Sequence, residues 1–332
     1  MRKNPLRQMD GKNILITGGL GFIGSTIAQK MVELGANVTI YDALMPQYGG
    51  NVANIEEIAK KIEVIKGDVR DFEALKEHVT NKDVIFHCAA QVSHVQSLSD
   101  PYLDIDINCR GTINLLEASR RFNDEVKIVY SGTRSQIGKM VYSPVDEAHP
   151  EFPADIYSAN KSAAEKYCLI YYNTYGIRTS SLRISNVYGP RGQIRERGYG
   201  IVNYLIRMAI LNEVITVYEP GTQTRDCIYA DDVADAMIMA SQNDKTDGEV
   251  FFVGSGKTVS FIDLVKLIIK LTGNGSWIFT PWPSQRKAIE VGDVSLSIKK
   301  ISSLLGWAPK TTLEDGLRKT IDFYKRNIKS YL

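Results

Sequence analysis

A strand-length apolar run, Asn13–Thr17, breaks into Thr17-Gly18-Gly19-Leu20-Gly21-Phe22-Ile23-Gly24, and an amphipathic stretch, Gly21–Leu34, follows at once. Glycines at 18, 21 and 24 let the backbone turn sharply and approach a pyrophosphate closely. The free N–H groups at the start of the helix then face that anion. The spacing departs from GxGxxG, and a plain tight turn explains many such clusters. Its place inside a strand–turn–helix unit turns the reading toward a dinucleotide site.

The unit repeats. Strands are expected at Asn13–Thr17, Asn37–Tyr41, Glu63–Lys66, Asp83–His87, Lys127–Ser131 and Thr179–Ile184. Helices are expected between them at Gly21–Leu34, Asn51–Lys60, Asp71–His78, Asp104–Phe122 and Tyr157–Tyr175. Such alternation describes an α/β fold, a Rossmann-like doubly wound parallel sheet with helices on both faces. From Gly189 to Gly200 glycine and charge concentrate, as in a surface loop. A strand-like piece at Ile228 and a helix over Asp232–Ser241 are expected to rejoin the sheet region. The tail, with helices at Phe261–Thr272, Leu296–Gly306 and Leu313–Arg326, builds a smaller C-terminal mixed α/β domain packed against the first.

Charge and cysteines narrow the partners. In 332 residues, 40 basic and 38 acidic side chains leave a formal charge of +2. No segment gathers Lys and Arg, so neither nucleic acid nor an anionic membrane is expected as a partner. No apolar run of signal-peptide or membrane-spanning length is found. Cys88, Cys109, Cys168 and Cys227 form no CxxC pair and no metal-ligand spacing with the four histidines, so no metal is expected. Reduced thiols and a cytoplasmic location are the reading.

Tyr157-Ser158-Ala159-Asn160-Lys161 places a phenol and an ammonium four residues apart, on one face of a helix. An ammonium there lowers the pKa of a phenol and makes it an acid/base catalyst at neutral pH. The bland alternative is a Tyr- and Lys-rich helix surface. Ser131-Gly132-Thr133 ends a strand on the sheet's carboxyl edge, where α/β folds bind ligands, and the Thr133 hydroxyl is placed to bond a substrate oxygen. Asp42 closes the second strand, where a carboxylate takes both ribose hydroxyls and repels a 2′-phosphate, so NAD is favoured over NADP. A strand-end aspartate capping a loop is the alternative. Asp68-Val69 is placed to meet the adenine, and Ala89-Ala90 is small enough to let a cofactor lie close.

These motifs resemble the extended short-chain dehydrogenase/reductase family, in its nucleotide-sugar epimerase and dehydratase group. The resemblance covers nearly the whole chain. Beyond the glycine turn it rests on His87-Cys88-Ala89-Ala90, Asn108-x-x-Gly111-Thr112-x-Asn114-Leu115-Leu116-Glu117-Ala118, Tyr157-x-x-x-Lys161, Arg183-x-x-Asn186-Val187-Tyr188-Gly189-Pro190-Arg191-Gly192 and Gln223-Thr224-Arg225-Asp226. It implies residues 1–185 as the NAD-binding domain, to which 227–256 return, and 186–226 with 257–332 as a nucleotide-sugar-binding domain. It also implies Tyr157 as general acid/base, Lys161 on the nicotinamide ribose, and Thr133 orienting a sugar hydroxyl. The cofactor contacts it implies are Gly18, Gly21, Phe22, Ile23, Gly24, Asp42, Asp68, Val69, Ala89, Ala90, Gln91, Asn108, Ser131, Tyr157 and Lys161. Asn186 and Arg225 would hold the substrate diphosphate, with Arg191 nearby, since a guanidinium fork matches phosphate oxygens. A UDP-sugar is the default substrate, a GDP-sugar the alternative, and side chains around Asn203–Tyr218 and Thr280–Arg286 would tell carriers apart. A homodimer through Asp104–Phe122 and Tyr157–Tyr175 is implied as well, with Tyr171 and Tyr172 suited to the interface.

The family's common first step oxidises a sugar hydroxyl, usually at C4. The 4,6-dehydratases carry an acidic pair directly after the threonine and the decarboxylases a nearby glutamate; here Arg134-Ser135 follow Thr133. A 4-epimerase acting through a transient 4-keto sugar is therefore expected. The alternative is a C4 dehydrogenase or reductase with net redox change. Ile137 stands where the family has tyrosine, and Arg134 and Gln136 are polar in unusual places. A purely structural NAD protein would lack the Tyr–Lys pair. The insert Gly192–Gly200, with Arg195, Glu196 and Arg197, is placed to cover the sugar pocket, although a loop of no consequence explains it equally well.

Overall fold

The computed structural model describes residues 9–284, 287 and 289–332. The basic start, residues 1–8, and Gln285 and Arg286 of the Thr280–Arg286 segment lie outside the described residues.

The strands among the described residues are β1 (Asn13–Thr17), β2 (Asn37–Asp42), β3 (Ile62–Lys66), β4 (Val84–His87), β5 (Lys127–Thr133), β6 (Arg178–Ile184), β7 (Asn186–Tyr188), β8 (Val214–Tyr218), β9 (Thr224–Tyr229), β10 (Glu249–Val253), β11 (Thr258–Ser260) and β12 (Ser276–Thr280). The main sheet has seven strands in the order β10-β6-β5-β4-β1-β2-β3, and every pairing in it is parallel. Strand order reverses between β1 and β4, which opens a crevice at their carboxyl ends. Both faces of the central strands are buried. Their sequences are therefore continuous apolar runs such as Ile14-Leu15-Ile16, without polar alternation.

On one face, α1 (Phe22–Glu33) and α8 (Ala230–Ser241) set Ile27, Met31, Val233 and Met237 against Ile14, Ile16 and Phe251. On the other, α2 (Phe72–Val79), α5 (Gly111–Phe122) and α6 (Ile156–Tyr175) set Leu75, Leu115, Leu116 and Ala164 against Leu15, Ile85 and Ile128. Each such side chain, fully buried, contributes about 1.5–3 kcal/mol of transfer free energy. A second lobe forms from α7 (Ile201–Ile210), α9 (Phe261–Thr272), the helix Leu313–Asn327 and the two small sheets β11-β9-β7 and β12-β8. Its own core holds Leu205, Ile206, Leu264, Ile268 and Ile321.

Three expectations are corrected, and one element was unexpected. The Ile228 strand does not rejoin the main sheet. It pairs with β7 and β11 in the second lobe, and β10 is the strand that returns. The helix expected over Asp104–Phe122 is broken by a π-helical turn, Ile105–Arg110, because the Asn108 side chain is drawn to Gln91 and Asp104. The helix expected over Asn51–Lys60 is a 3-10 segment, Val52–Lys61, with Asn51 accepting the Ala53 N–H at its start. A short helix α3 (His94–Ser99), capped by Ser93, was not expected at all, being too brief for periodicity to register.

Candidate functional site

The crevice at the switch between β1 and β4 is a cleft of about 450 Å³, running between the lobes from the glycine turn to Arg225. At one end the turn is held by steric necessity. A Cβ on Gly18 would lie 2.6 Å from the Ala89 nitrogen, and one on Gly24 would lie 2.3 Å from the Gly18 carbonyl oxygen. Gly18 also takes φ +69°, which disfavours any side chain. Only glycine brings the turn this close to both β4 and α1. Gly18, Gly21, Phe22, Ile23 and Gly24 line the cleft, as do Asp42, Asp68, Val69, Ala89, Ala90 and Ser131.

Asp42 is buried, with Oδ2 accepting the Leu20 N–H at 2.9 Å and Oδ1 the Leu44 N–H at 2.7 Å. Burial raises its pKa and these two donors counter the shift. The loop-cap reading therefore applies, and each carboxylate oxygen keeps a second lone pair beyond these two N–H groups. Asp68 instead pairs with Arg70 at 2.6 Å, and the Arg70 hydrogen bond lowers its pKa against burial.

A buried relay stands behind Ala89. The Thr112 hydroxyl donates to the Asn108 carbonyl at 2.7 Å, so it accepts from His87 Nε2–H at 3.0 Å. Nδ1 then accepts from the Thr17 hydroxyl at 2.7 Å, and the Thr17 oxygen takes the Ala89 N–H at 3.3 Å. This assignment makes His87 neutral, and burial, with Lys161 nearby, pushes its pKa down to about 3.

At the middle of the cleft, β5 delivers Ser131 and Thr133 while α6 delivers Tyr157 and Lys161 on one face. Asp155 caps α6 through the Ser158 N–H at 2.8 Å and binds His94 Nδ1 at 2.7 Å. His94 in turn meets the Tyr157 ring edge-on, 4.9 Å between centroids. The Lys161 Nζ donates to the Ser131 carbonyl at 2.7 Å and lies 4.2 Å from the Tyr130 ring centroid. Burial pushes the Tyr157 phenol up, the Thr133 hydroxyl and the Arg134 guanidinium pull it back, and Asp155 and Asp104 add to the rise. Burial also brings the Lys161 ammonium down to about 8.

Two expected cofactor contacts stand behind the wall. Gln91 and Asn108 clasp each other, Gln91 N–H to Asn108 Oδ1 and Asn108 Nδ2 to the Gln91 carbonyl, both 3.1 Å, and neither lines the cleft. On the far side Asn186 lines the cleft with its buried Oδ1 unpartnered among the described residues. Arg225 lines it too, but its fork is engaged, with Glu290 at 2.7 Å and with the Thr224 and Gly292 carbonyls, each at 2.8 Å. Arg191, expected beside the diphosphate, is not in the cleft; its guanidinium reaches Thr26 on α1 at 3.5 Å. In the insert, Arg197 lines the cleft, reaching the Thr216 carbonyl at 3.2 Å and lying 4.6 Å from the Tyr218 ring centroid. Arg195 and Glu196 are exposed, and the Tyr199 hydroxyl ties the insert to the Gln47 carbonyl across the cleft.

Sequence reasoning missed His94, Asp155, Glu290 and any role for Arg134, and within Asn203–Tyr218 and Thr280–Arg286 it did not single out Tyr218 and Trp282; all six line the cleft. Only Asp155 carried a local signal, an acidic residue just before the helix start. The others come together from distant segments.

The GDP-mannose 4,6 dehydratase family matches this chain over residues 15–320. A putative UDP-glucose 4-epimerase of Methanocaldococcus jannaschii is 36% identical over 318 residues, 95% of this chain and 99% of its own length. An epimerase structure from Methanothermobacter thermautotrophicus superposes with a TM-score of 0.92 at 27% identity, covering 98% of this chain and 96% of that one. A Thermus thermophilus UDP-glucose 4-epimerase, solved in complex with NAD, is 30% identical with a TM-score of 0.84, covering 94% and 99%.

Proposed function

Because the chain belongs to the nucleotide-sugar epimerase and dehydratase group of the extended short-chain dehydrogenase/reductase family and uses NAD, we propose that it is a nucleotide-sugar 4-epimerase. The glycine cradle, Asp42 and the small Ala89-Ala90 step fit the dinucleotide. NAD supplies the hydride acceptor and donor for such chemistry. Thr133 bonds the C4 hydroxyl, and Tyr157 accepts its proton as the carbon becomes a ketone. Lys161 fixes the ribose side of the site and holds the β5 end through Ser131. The keto sugar then presents its other face, and Tyr157 returns the proton. Asn186 and the two uncommitted N–H groups of the five on Arg225 hold the diphosphate. Arg191 has no part in that grip.

One observation carries this choice over dehydration. The turn after Thr133 offers Arg134 and Ser135, and the carboxylates at that end are committed, Asp155 to His94 and Glu290 to Arg225. No free carboxylate among the described residues stands beside Thr133 to expel water. Uridine is the carrier we adopt. We place the protein in the cytoplasm, in keeping with four unpaired thiols, and as a homodimer. No helix among the described residues is long and apolar enough to cross a membrane.

The test mixes protein and NAD with UDP-glucose, UDP-galactose and their uronic acids, follows absorbance near 340 nm, and reads the recovered sugar by NMR. Inversion at C4 without lasting absorbance is expected. A stoichiometric 340 nm signal with a keto sugar would make the protein a dehydrogenase instead.

A further inference from the structure

Arg134 lines the cleft one residue after Thr133, close enough to Tyr157 to lower the pKa of its phenol. Among the described residues its guanidinium makes no hydrogen bond and no ion pair. The carboxylates near it make their hydrogen bonds to other groups. Asp155 gives one oxygen to His94 and the other to the Ser158 N–H. Glu290 Oε1 binds Arg225 at 2.7 Å and the Gly292 N–H at 3.0 Å. Burial and the charge of Arg225 disfavour its positive charge more than Glu290 and Asp155, neither hydrogen-bonded to it, favour it. A guanidinium inside a cleft without an anion pays a desolvation cost that a ligand anion offsets.

The turn that carries Arg134 is rigid. Thr133 Oγ1 accepts the Ser135 N–H at 3.2 Å, and Gln136 Nε2 donates to the buried Glu165 at 2.9 Å. Glu165 is anchored by Arg183 at 2.6 Å and by the Ser181 hydroxyl at 2.8 Å, while Ile137 is fully buried beside Val145 and Phe252. Polar Gln136 and apolar Ile137 thus pin the turn from below and leave Arg134 on the cleft wall.

We propose that the sugar this enzyme takes bears a carboxylate on C5, as a uronic acid does, and that Arg134 receives it. This deepens the epimerase reading and rests on it. With the C4 oxygen between Thr133 and Tyr157, the next residue of the turn is left beside the substituents of C3 and C5, and of these only the C5 substituent can be a carboxylate. A planar carboxylate is matched by the planar fork of arginine. The other anion within the ligand is the diphosphate, for which Asn186 and Arg225 are already placed.

The test is calorimetric binding of UDP, UDP-glucose and UDP-glucuronate to the NAD-loaded protein and to its Arg134→Gln and Arg134→Lys variants. The expected result is about tenfold tighter binding of UDP-glucuronate than of UDP-glucose, a preference abolished by Gln and partly kept by Lys. Equal affinity of the unaltered protein for the two sugars overturns the proposal. So does an Arg134→Gln variant that weakens all three ligands alike, which would assign Arg134 to the diphosphate. Turnover separates the two readings. Inversion of UDP-glucose without a carboxylate preference sinks the uronic-acid inference and leaves the epimerase. Preferential binding of UDP-glucuronate with no inversion of any sugar sinks the epimerase and leaves the anion site.

Discussion

At the scale of single residues, burial is the force that sets the chemistry of this cleft. Tyr157 is the proposed proton carrier, yet its surroundings raise its pKa, and the groups that lower it are Thr133 and Arg134. Tyr157→Phe removes the hydroxyl alone. Turnover should fall by roughly 10²–10⁴-fold while NAD still binds, as read by steady-state kinetics and NAD titration. Asp42→Ala should weaken NAD by about tenfold or more and narrow the preference over NADP; an unaltered preference would show that the Leu20 and Leu44 N–H groups are its whole task. His87 gives a pH signature. Its folded pKa of about 3 lies below the unfolded value of 6.5, so the unfolded chain binds the extra proton as pH falls. Stability from this group is complete above about pH 6.5 and is lost below it, by about 2 kcal/mol between pH 7 and pH 5. Urea titrations of the protein and of His87→Gln, which keeps one donor and one acceptor, should differ by that loss.

At the scale of elements, the strand–turn–helix unit was legible because its pattern is local. The observed β1, β2, β4 and β5 begin within a residue of their expected starts. The unit also has no slack. A Cβ on Gly24 meets backbone at 2.3 Å, and backbone cannot swing aside as a side-chain tip does. Gly24→Ala should therefore cost about 1–3 kcal/mol in chemical denaturation and abolish tight NAD binding together. What was not legible at this scale is the π-turn Ile105–Arg110. Its cause, Asn108 bonded to both Gln91 and Asp104, spans 17 residues of sequence and leaves the apolar period of the helix intact.

At the scale of the whole molecule, the cleft lies between the lobes, and the homodimer is proposed through the helical segments 104–122 and 157–175. Tyr171 and Tyr172 are not the exposed residues of α6. The Tyr171 hydroxyl binds Glu117 at 2.7 Å, and the Tyr172 ring packs over Gly248. Tyr102 (78% exposed), Ile105, Phe122, Ile170 and Tyr175 are the large apolar side chains that face solvent on and beside these helices. In the homodimer we propose, Tyr102→Glu should shift sedimentation toward the monomer at micromolar concentration; an unshifted dimer would place the interface elsewhere.

The sequence by itself determined the parallel sheet, the glycine turn, and the residue types of the Tyr157, Lys161 and Thr133 constellation, because strand burial, glycine sterics and i, i+4 spacing are local properties of the chain. Tertiary structure alone decided what those residues meet. It turned Lys161 to Ser131, withdrew Gln91, Asn108 and Arg191 from the cleft, engaged Arg225 with Glu290, and left Arg134 on the cleft wall with no hydrogen-bonded anion among the described residues. Charge pairing and desolvation depend on which distant segments are brought within a few ångströms, and no local pattern encodes that distance.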